Sequence, residues 1–414
     1  MWALACRVRA SRAGVVSRTV QGIASAAEGR TVKRLSATAV AVVLGMLPVT
    51  PPDALAAPAG NVRLAKGAGS EMDAPMTRAS PARRAWFRRT YTRMKGYAPW
   101  FNTRLDWYPR AWAYQDLYAV YSDRREDGSH MPFVLRDGLG RRLYIPWGCD
   151  GTRCPQYAAD PGNPAFRRMW IAEAARKLRA GYMGLYVDDA SLAVYTADAS
   201  GKLTTPIDPR TGRAMRTEDW RRYVTEFLES IRRAFPKMEI VHNALWWVAP
   251  LSDPLHRRQV IAADWLVIEH AFSDGGLTGG EGSTSFSAYM RHMDALHRLD
   301  RRILLDGEGD SPEARELLLA GYLMVNDGGD LLSSWEGTAP GAIWSGYQVD
   351  LGRARGPRYR WRGVWRRDFA QGTALLSEPG SPTRTLPLRG RRANGESVSS
   401  VTIGDRQGIT VLRR

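Results

Sequence analysis

The sequence predicts an α/β fold, a (β/α)8 TIM barrel followed by a small antiparallel β module. Three observations predict it. Strand-like and helix-like segments alternate between about residues 96 and 333, the pattern of a parallel sheet covered by helices. The strand-like segments number eight, which favours a closed barrel over an open sheet. From about residue 357 the texture changes to short β-type runs with no helical period.

The strand-like runs fall at 96–101, 115–121, 132–136, 183–188, 238–243, 264–269, 302–306 and 329–333. The helices between them carry clearer start and stop signals. Asn163-Pro164 is an N-cap followed by proline at the first helical position, where a missing N–H costs nothing. Phe166, Met169, Trp170 and Leu178 then share one face, and Gly181 closes the turn. Thr217 opens a second helix, in which Trp220, Tyr223, Val224, Phe227, Ile231 and Phe235 recur at spacings of three and four until Pro236. Asp253-Pro254 and Ser311-Pro312 repeat the cap-then-proline start. No GxGxxG or GxxxxGKS/T loop follows a strand, which argues against a nucleotide-binding sheet. Past the barrel, Arg and Trp crowd together over 358–369, and β-type runs follow near 373–377, 384–388, 398–403 and 409–412.

Residues 57–82 are rich in Ala, Gly, Ser and Pro and read as a linker. Before them, Lys33, Arg34, the apolar run Ala37 to Val49 and the small residues up to Ala57 have the layout of a secretory signal peptide. The run is too short for a comfortable membrane span. The 32 residues ahead of Lys33 fit no part of such a signal, so the expected start is Val32 and the mature chain begins near Ala57. The expected organisation is 1–56 signal peptide and upstream extension, 57–82 linker, 83–352 barrel and 353–414 β module. The expected location is secreted, periplasmic or extracellular.

The formal net charge of +17 is unevenly spread. Residues 1–95 carry +12 and 353–414 carry +10, whereas 96–352 carry −5. A polyanion channel through the barrel is disfavoured, and no nucleic-acid partner is expected. The Arg-rich module reads as a solvated surface, with electrostatic contact to a cell surface as the alternative. Without the upstream extension Cys6 is lost. Cys149 and Cys154 remain, five positions apart across a Gly-containing turn, and an oxidising compartment would join them in one local disulfide. The six His form no HExxH or comparable pair, so neither a metal nor another cofactor is expected.

A barrel of this kind carries its active face at the C-terminal ends of the strands. Alternation along Leu185-Tyr186-Val187-Asp188 sends Leu185 and Val187 toward the helices and Tyr186 and Asp188 inward, with Asp188 at the mouth. Asp189 begins the loop and orients a neighbour or caps backbone groups. In Trp265-Leu266-Val267-Ile268-Glu269, Glu269 shares a face with Val267. A carboxylate after an apolar run is costly unless it reaches solvent, a partner or a substrate. Glycosidic cleavage uses two such acids, one protonating the leaving oxygen and the other acting as nucleophile or as base on water. Asp188 is assigned as nucleophile or base and Glu269 as general acid, because apolar walls raise the pKa of a Glu. A strand-end salt bridge is the competing reading of each. Asp306 and Glu308, two apart, are further candidates. His242 and Asn243 offer hydrogen bonds to sugar hydroxyls, and Trp246 and Trp335 offer platforms for sugar rings. Asp137 either holds substrate or begins a turn at Asp137-Gly138.

The segments FVLRDGLGRRLYIPWGCDGTRCPQYAADPGNPAFRRMWI (133–171), GYMGLYVDDAS (181–191) and WRRDFAQGTALLSEPG (365–380) resemble the hypothetical glycosyl hydrolase family 15, over roughly 95–380. The Tyr-Val-Asp-Asp stretch is the most specific piece. The resemblance implies a barrel with glycosidase-like chemistry and places Asp188 at the family's strand-four acid. Related barrels that cut galactosamine-rich exopolysaccharide extend it to a cationic or neutral glycan. The expected function is a secreted glycoside hydrolase acting on a polysaccharide. The alternatives are a non-catalytic carbohydrate-binding barrel of the cell surface, which a long carboxyl separation would favour, and an attachment protein acting through the Arg-rich module.

Overall fold

The structure, a computed structural model, describes residues 62–67, 72–121, 130–149, 154–243, 249–307, 311–334 and 343–413. Eight parallel strands close a barrel. They are β1 (Leu64–Gly67), β2 (Tyr91–Gly96), β3 (Ala111–Asp116), β4 (Gly184–Asp188), β5 (Glu239–His242), β6 (Trp265–Glu269), β7 (Arg302–Gly307) and β8 (Leu331–Ser334). Each pairs with the next in sequence, and β8 returns to β1. The helices are α1 (Asp73–Thr77), α2 (Pro81–Thr90), α3 (Pro164–Arg179), α4 (Thr217–Ala234), α5 (Pro254–Ala262), α6 (Phe286–His297) and α7 (Pro312–Val325). The cap signals hold: Asn163, Asp253 and Ser311 each accept backbone N–H groups of the first turn, with proline at the first helical position. No described helix is long and apolar enough to cross a membrane.

The last five strands stand where the sequence puts them, and the first three do not. The expected linker supplies β1 and the first helices. Segment 96–101 is a turn and a 3-10 helix following β2, and β3 ends at Asp116 rather than running to 121. Residues 119–121 pair instead with Gln156–Ala158, outside the barrel, and 132–136 contains a 3-10 turn. The physical reason lies in the interior of the barrel. On β2 the inward positions are Arg93 and Lys95, and on β1 they are Ala65 and Gly67, where Gly67 faces the Lys95 chain. Small and basic inward residues erase the apolar run by which the later strands are recognised.

Elsewhere strand alternation is plain. Trp112, Tyr186, Val241, Trp265, Val267, Leu304 and Leu331 fill the interior, while Leu185, Val187, Ile240, Ile268, Leu305 and Leu332 pack outward against the helices. The floor is closed by charge. Glu239 takes two hydrogen bonds from Arg93, at 3.0 and 2.8 Å, and one from Trp112 Nε1 at 2.6 Å. A Cβ at Gly184 would lie 2.2 Å from the Glu239 carbonyl, so this position leaves no room for a side chain.

The C-terminal module is an antiparallel six-stranded sheet formed by β9 (Tyr359–Trp361), β10 (Val364–Asp368), β11 (Gly372–Leu376), β13 (Gly390–Arg392), β14 (Ser397–Val398) and β16 (Gly408–Leu412). A separate pair, β12 (Arg384–Leu386) with β15 (Val401–Ile403), completes it. The module docks on α7, where Gly408 allows the close approach: a Cβ there would meet Ala320 at 2.6 Å. Several arginines are used in that docking. Arg367 donates to the carbonyls of Leu323, Met324 and Asn326 at the end of α7. Arg358 grips Asp294 of α6, and Arg392 bonds Glu316.

Candidate active site

Four barrel strands carry an inward acid at or next to their last residue. Asp116 of β3 is in register with Asp188 of β4, and Glu269 of β6 with Asp306 of β7. Parity fixes their direction, because each lies two residues beyond an interior side chain: Tyr114, Tyr186, Val267 and Leu304. Between the two acid pairs, one residue past β5, stands Asn243. Its Nδ2 donates to Asp188 Oδ1 at 2.5 Å and to Glu269 Oε1 at 3.1 Å. Its Oδ1 accepts the Ala190 N–H at 3.1 Å, which fixes the amide orientation. The facing oxygens of Asp188 and Glu269 can therefore be no farther apart than those two bonds laid end to end.

The backbone beyond both acids is unusual. Asp189 and His270, each directly following a mouth carboxylate, have φ of 54° and 58°, and Ala271 follows at 42°. Left-handed backbone at non-glycine residues costs of order 1–3 kcal/mol each and clusters at functional sites. The turn at Asp189 brings its own N–H to Asp188 Oδ1 at 3.0 Å.

Electrostatics separates the acids. Glu269 opens to solvent at the mouth, yet the protein around its carboxyl displaces enough water, and the nearby Asp188 charge adds enough, to raise its pKa. Burial raises Asp306 too, against the pull of Lys95 and a hydrogen bond from Ser333. Asp116, only 4% exposed, is raised by burial and by Asp188 and accepts the Tyr114 hydroxyl at 2.7 Å. Burial, followed by Asp188, Asp116 and Glu269, pushes Asp189 up to about 9, and its carboxyl hydrogen-bonds Asp116. Lys95 lies over the rings of Tyr186 and Tyr114, at 4.6 and 5.3 Å. Burial disfavours its charge, but Tyr97, Asp188, Asp306 and Glu269 outweigh that and keep it protonated.

Among the residues expected at this site, Asp188, Asp189, Asn243, Glu269 and Asp306 come together. His242 does not. The interior position of β5 is Val241, so His242 points outward, fully buried, with Nε2 2.8 Å from the Gln259 carbonyl and its pKa lowered by burial to about 4. Asp137 is consumed by its own turn, accepting the Leu139 and Arg141 N–H groups and the Arg141 side chain. Trp246, Glu308 and Trp335 lie outside the described residues. The Cys149–Cys154 disulfide is formed.

Asp116, Lys95, Tyr114 and Trp147 were not anticipated. Asp116 carries the same signal as the other acids, a strand ending in a carboxylate (Ala-Trp-Ala-Tyr-Gln-Asp), hidden because the strand was expected to begin at Gln115. A cation-sized cluster, His297, Asp327 and Asp330, lies just ahead of β8 at the opposite end of the barrel. There Asp330 already bonds His297 and the Ile303 N–H.

No protein-family model and no curated relative matches the chain. Solved structures of similar shape include the glycoside hydrolase domain of PelA from Pseudomonas aeruginosa, at 14% identity and a TM-score of 0.37, covering 68% of this chain and 97% of that one. A noncanonic maltogenic alpha-amylase, AmyB from Thermotoga neapolitana, has 10% identity and a TM-score of 0.44, covering 85% and 96%. An alpha-amylase from Geobacillus thermoleovorans has 8% identity and a TM-score of 0.43, covering 86% and 99%.

Proposed function

We propose that the chain is a glycoside hydrolase that cleaves a polysaccharide by double displacement, with Asp188 as nucleophile and Glu269 as acid and then base. The carrying observation is the single Asn243 amide that bonds both carboxylates at 2.5 and 3.1 Å. Retaining pairs stand about 5–5.5 Å apart, whereas inverting pairs need about 6.5–9.5 Å to admit a water. Asn243 thus favours retention and disfavours a binding-only cleft with distant acids.

In the first step an Asp188 oxygen attacks the anomeric carbon and forms an ester bond. The bond to the leaving oxygen breaks, and the Glu269 proton goes to that oxygen. In the second step Glu269 takes a proton from water, the water oxygen attacks the same carbon, and Asp188 leaves as carboxylate. The raised pKa of Glu269 suits a group that must begin protonated. The resemblance to the hypothetical glycosyl hydrolase family 15 and the strand-four position of Asp188 agree with this reading. The Cys149–Cys154 disulfide and the signal-like N-terminal run support action outside the cytoplasm.

The test is the configuration of the freshly released sugar, read by proton NMR before mutarotation. Retention is expected. An inverted product would remove Asp188 from the nucleophile role.

A further inference from the structure

One aromatic residue above the mouth is neither buried nor loose. Trp147 is 57% exposed, and no other described Trp is classed as exposed. Leaving an indole in water forfeits the stabilisation that burying its apolar surface would bring. Yet its orientation is set. Nε1 donates to Asp189 Oδ1 at 3.1 Å, and the Tyr195 ring stands 5.0 Å away at 58°. Asp189 in turn hydrogen-bonds Asp188 through its backbone and Asp116 through its carboxyl. The ring therefore stands on the same loop base as the proposed nucleophile.

The chain around Trp147 is built to hold that position. Pro146–Gly148 forms a 3-10 turn, and the very next residue, Cys149, is cross-linked to Cys154. Cys154 Sγ lies 3.8 Å from the Asp198 carbonyl and 3.7 Å from that of Ala199. A Cβ on Gly201 would stand 3.2 Å from Cys149 Cβ. The cross-link thus seats the Trp147 segment against the 198–201 turn, in the connection that follows Asp188.

We propose that Trp147 is the stacking wall of a sugar subsite beside Asp188, taking the C–H face of a pyranose ring, and that the Cys149–Cys154 disulfide holds the wall in place. The proposal rests on the hydrolase reading. A ring already fixed by its N–H and by a neighbouring aromatic gives up little side-chain freedom when a sugar lies on it, and its exposed face supplies apolar area matched to a sugar's C–H surface. An indole tied only for structural reasons would be expected to turn its face inward.

The experiment begins with wild-type protein and a panel of maltohexaose, isomaltohexaose, cellohexaose, laminarihexaose, chitohexaose and fully deacetylated chitohexaose. On whichever is cleaved, Trp147→Ala is expected to raise KM about tenfold with kcat within about threefold. Trp147→Phe, which keeps a ring and drops the N–H, should recover most of the loss. Replacing both cysteines by serine should raise KM in the same direction and add little to Trp147→Ala. An unmoved KM in Trp147→Ala, with the substrate still cleaved, overturns the wall and leaves the hydrolase reading intact. A fall in kcat alone also overturns it, placing Trp147 as support for Asp189. A folded wild type that cleaves no member of the panel counts against the hydrolase reading and takes the wall with it.

Discussion

Glu239 and Glu269 project into the same barrel from adjacent strands, one at each end, and their surroundings are opposite. At the floor, Arg93 meets Glu239 with two N–H groups and Trp112 adds a third donor. Burial alone would raise that carboxyl, but the Arg93 bonds and charge win and hold its pKa below the usual Glu value. At the mouth, Glu269 and Asp188 share the NH2 of one neutral amide, and loss of water around the carboxyl and the Asp188 charge hold the Glu269 pKa above that value. A strand-end acid kept for architecture has its cation. An acid held next to another acid by an amide is expensive, and chemistry is the reason to keep it.

The largest expected effect separates the two ends by activity. Asp188→Asn should lower kcat by a factor on the order of 10³ or more while the thermal midpoint holds or rises, since one of several neighbouring carboxyls is replaced by a neutral amide of the same shape. Glu239→Gln should do the reverse. It breaks the pair with Arg93 and leaves a guanidinium facing an amide, so unfolding in urea should show a loss of about 2–3 kcal/mol, with the remaining folded protein active. If Glu239→Gln cost activity in the folded state and Asp188→Asn did not, the assignment of the two ends would be reversed.

A smaller effect tests the coupling within the mouth. Because Asp188 is among the causes that raise Glu269, Asp188→Asn should move the Glu269 titration to lower pH, observable by carbon-13 NMR of the side-chain carboxyl. In the active protein the alkaline limb of kcat/KM should accordingly lie above the ordinary Glu pKa. An unchanged Glu269 titration in Asp188→Asn would mean that burial and Asp306 suffice to raise it and that Asp188 and Glu269 are not electrostatically paired.

The contrast between ends also explains what was legible in the sequence. The mouth acids on β4 and β6 follow apolar runs, so period-two reading puts Asp188 and Glu269 on the inward face; Asp306, singled out only as two residues from Glu308, lies on that face of β7 as well. The same reading fails on β1 and β2, whose inward residues are Ala65, Gly67, Arg93 and Lys95. These strands are defined by partners elsewhere in the chain, Arg93 by Glu239 and Lys95 by the rings of Tyr114 and Tyr186. A charge pair 146 residues apart leaves no local periodicity. His242 departs from expectation because alternation forbids two consecutive strand residues to face the same way, and Val241 takes the interior position. Trp147 lies in a turn, where no period predicts which way a ring faces.

The smallest expected effect concerns Asp189, the residue next to Asp188 in the chain. Its folded pKa of about 9 lies above the ordinary Asp value of 3.8, with burial the first cause and Asp188 the next. The stabilisation from its neutral form is therefore fully present below about pH 4 and is lost as pH rises through about 9. Asn mimics the neutral acid and does not titrate. Asp189→Asn should thus keep kcat within about tenfold of wild type, and its thermal midpoint relative to wild type should climb steadily from pH 4 to pH 9. The floor predicts the opposite slope: Glu239 stabilises above its unfolded pKa of about 4.5 and loses that contribution as pH falls through its lowered folded value. Acid should loosen the barrel at the Arg93 end and alkali at the Asp189 end. A midpoint difference for Asp189→Asn that stays flat with pH would mean Asp189 is ionised in the fold, and the mouth would then hold one more negative charge than the pairing of Asp116 with Asp189 allows.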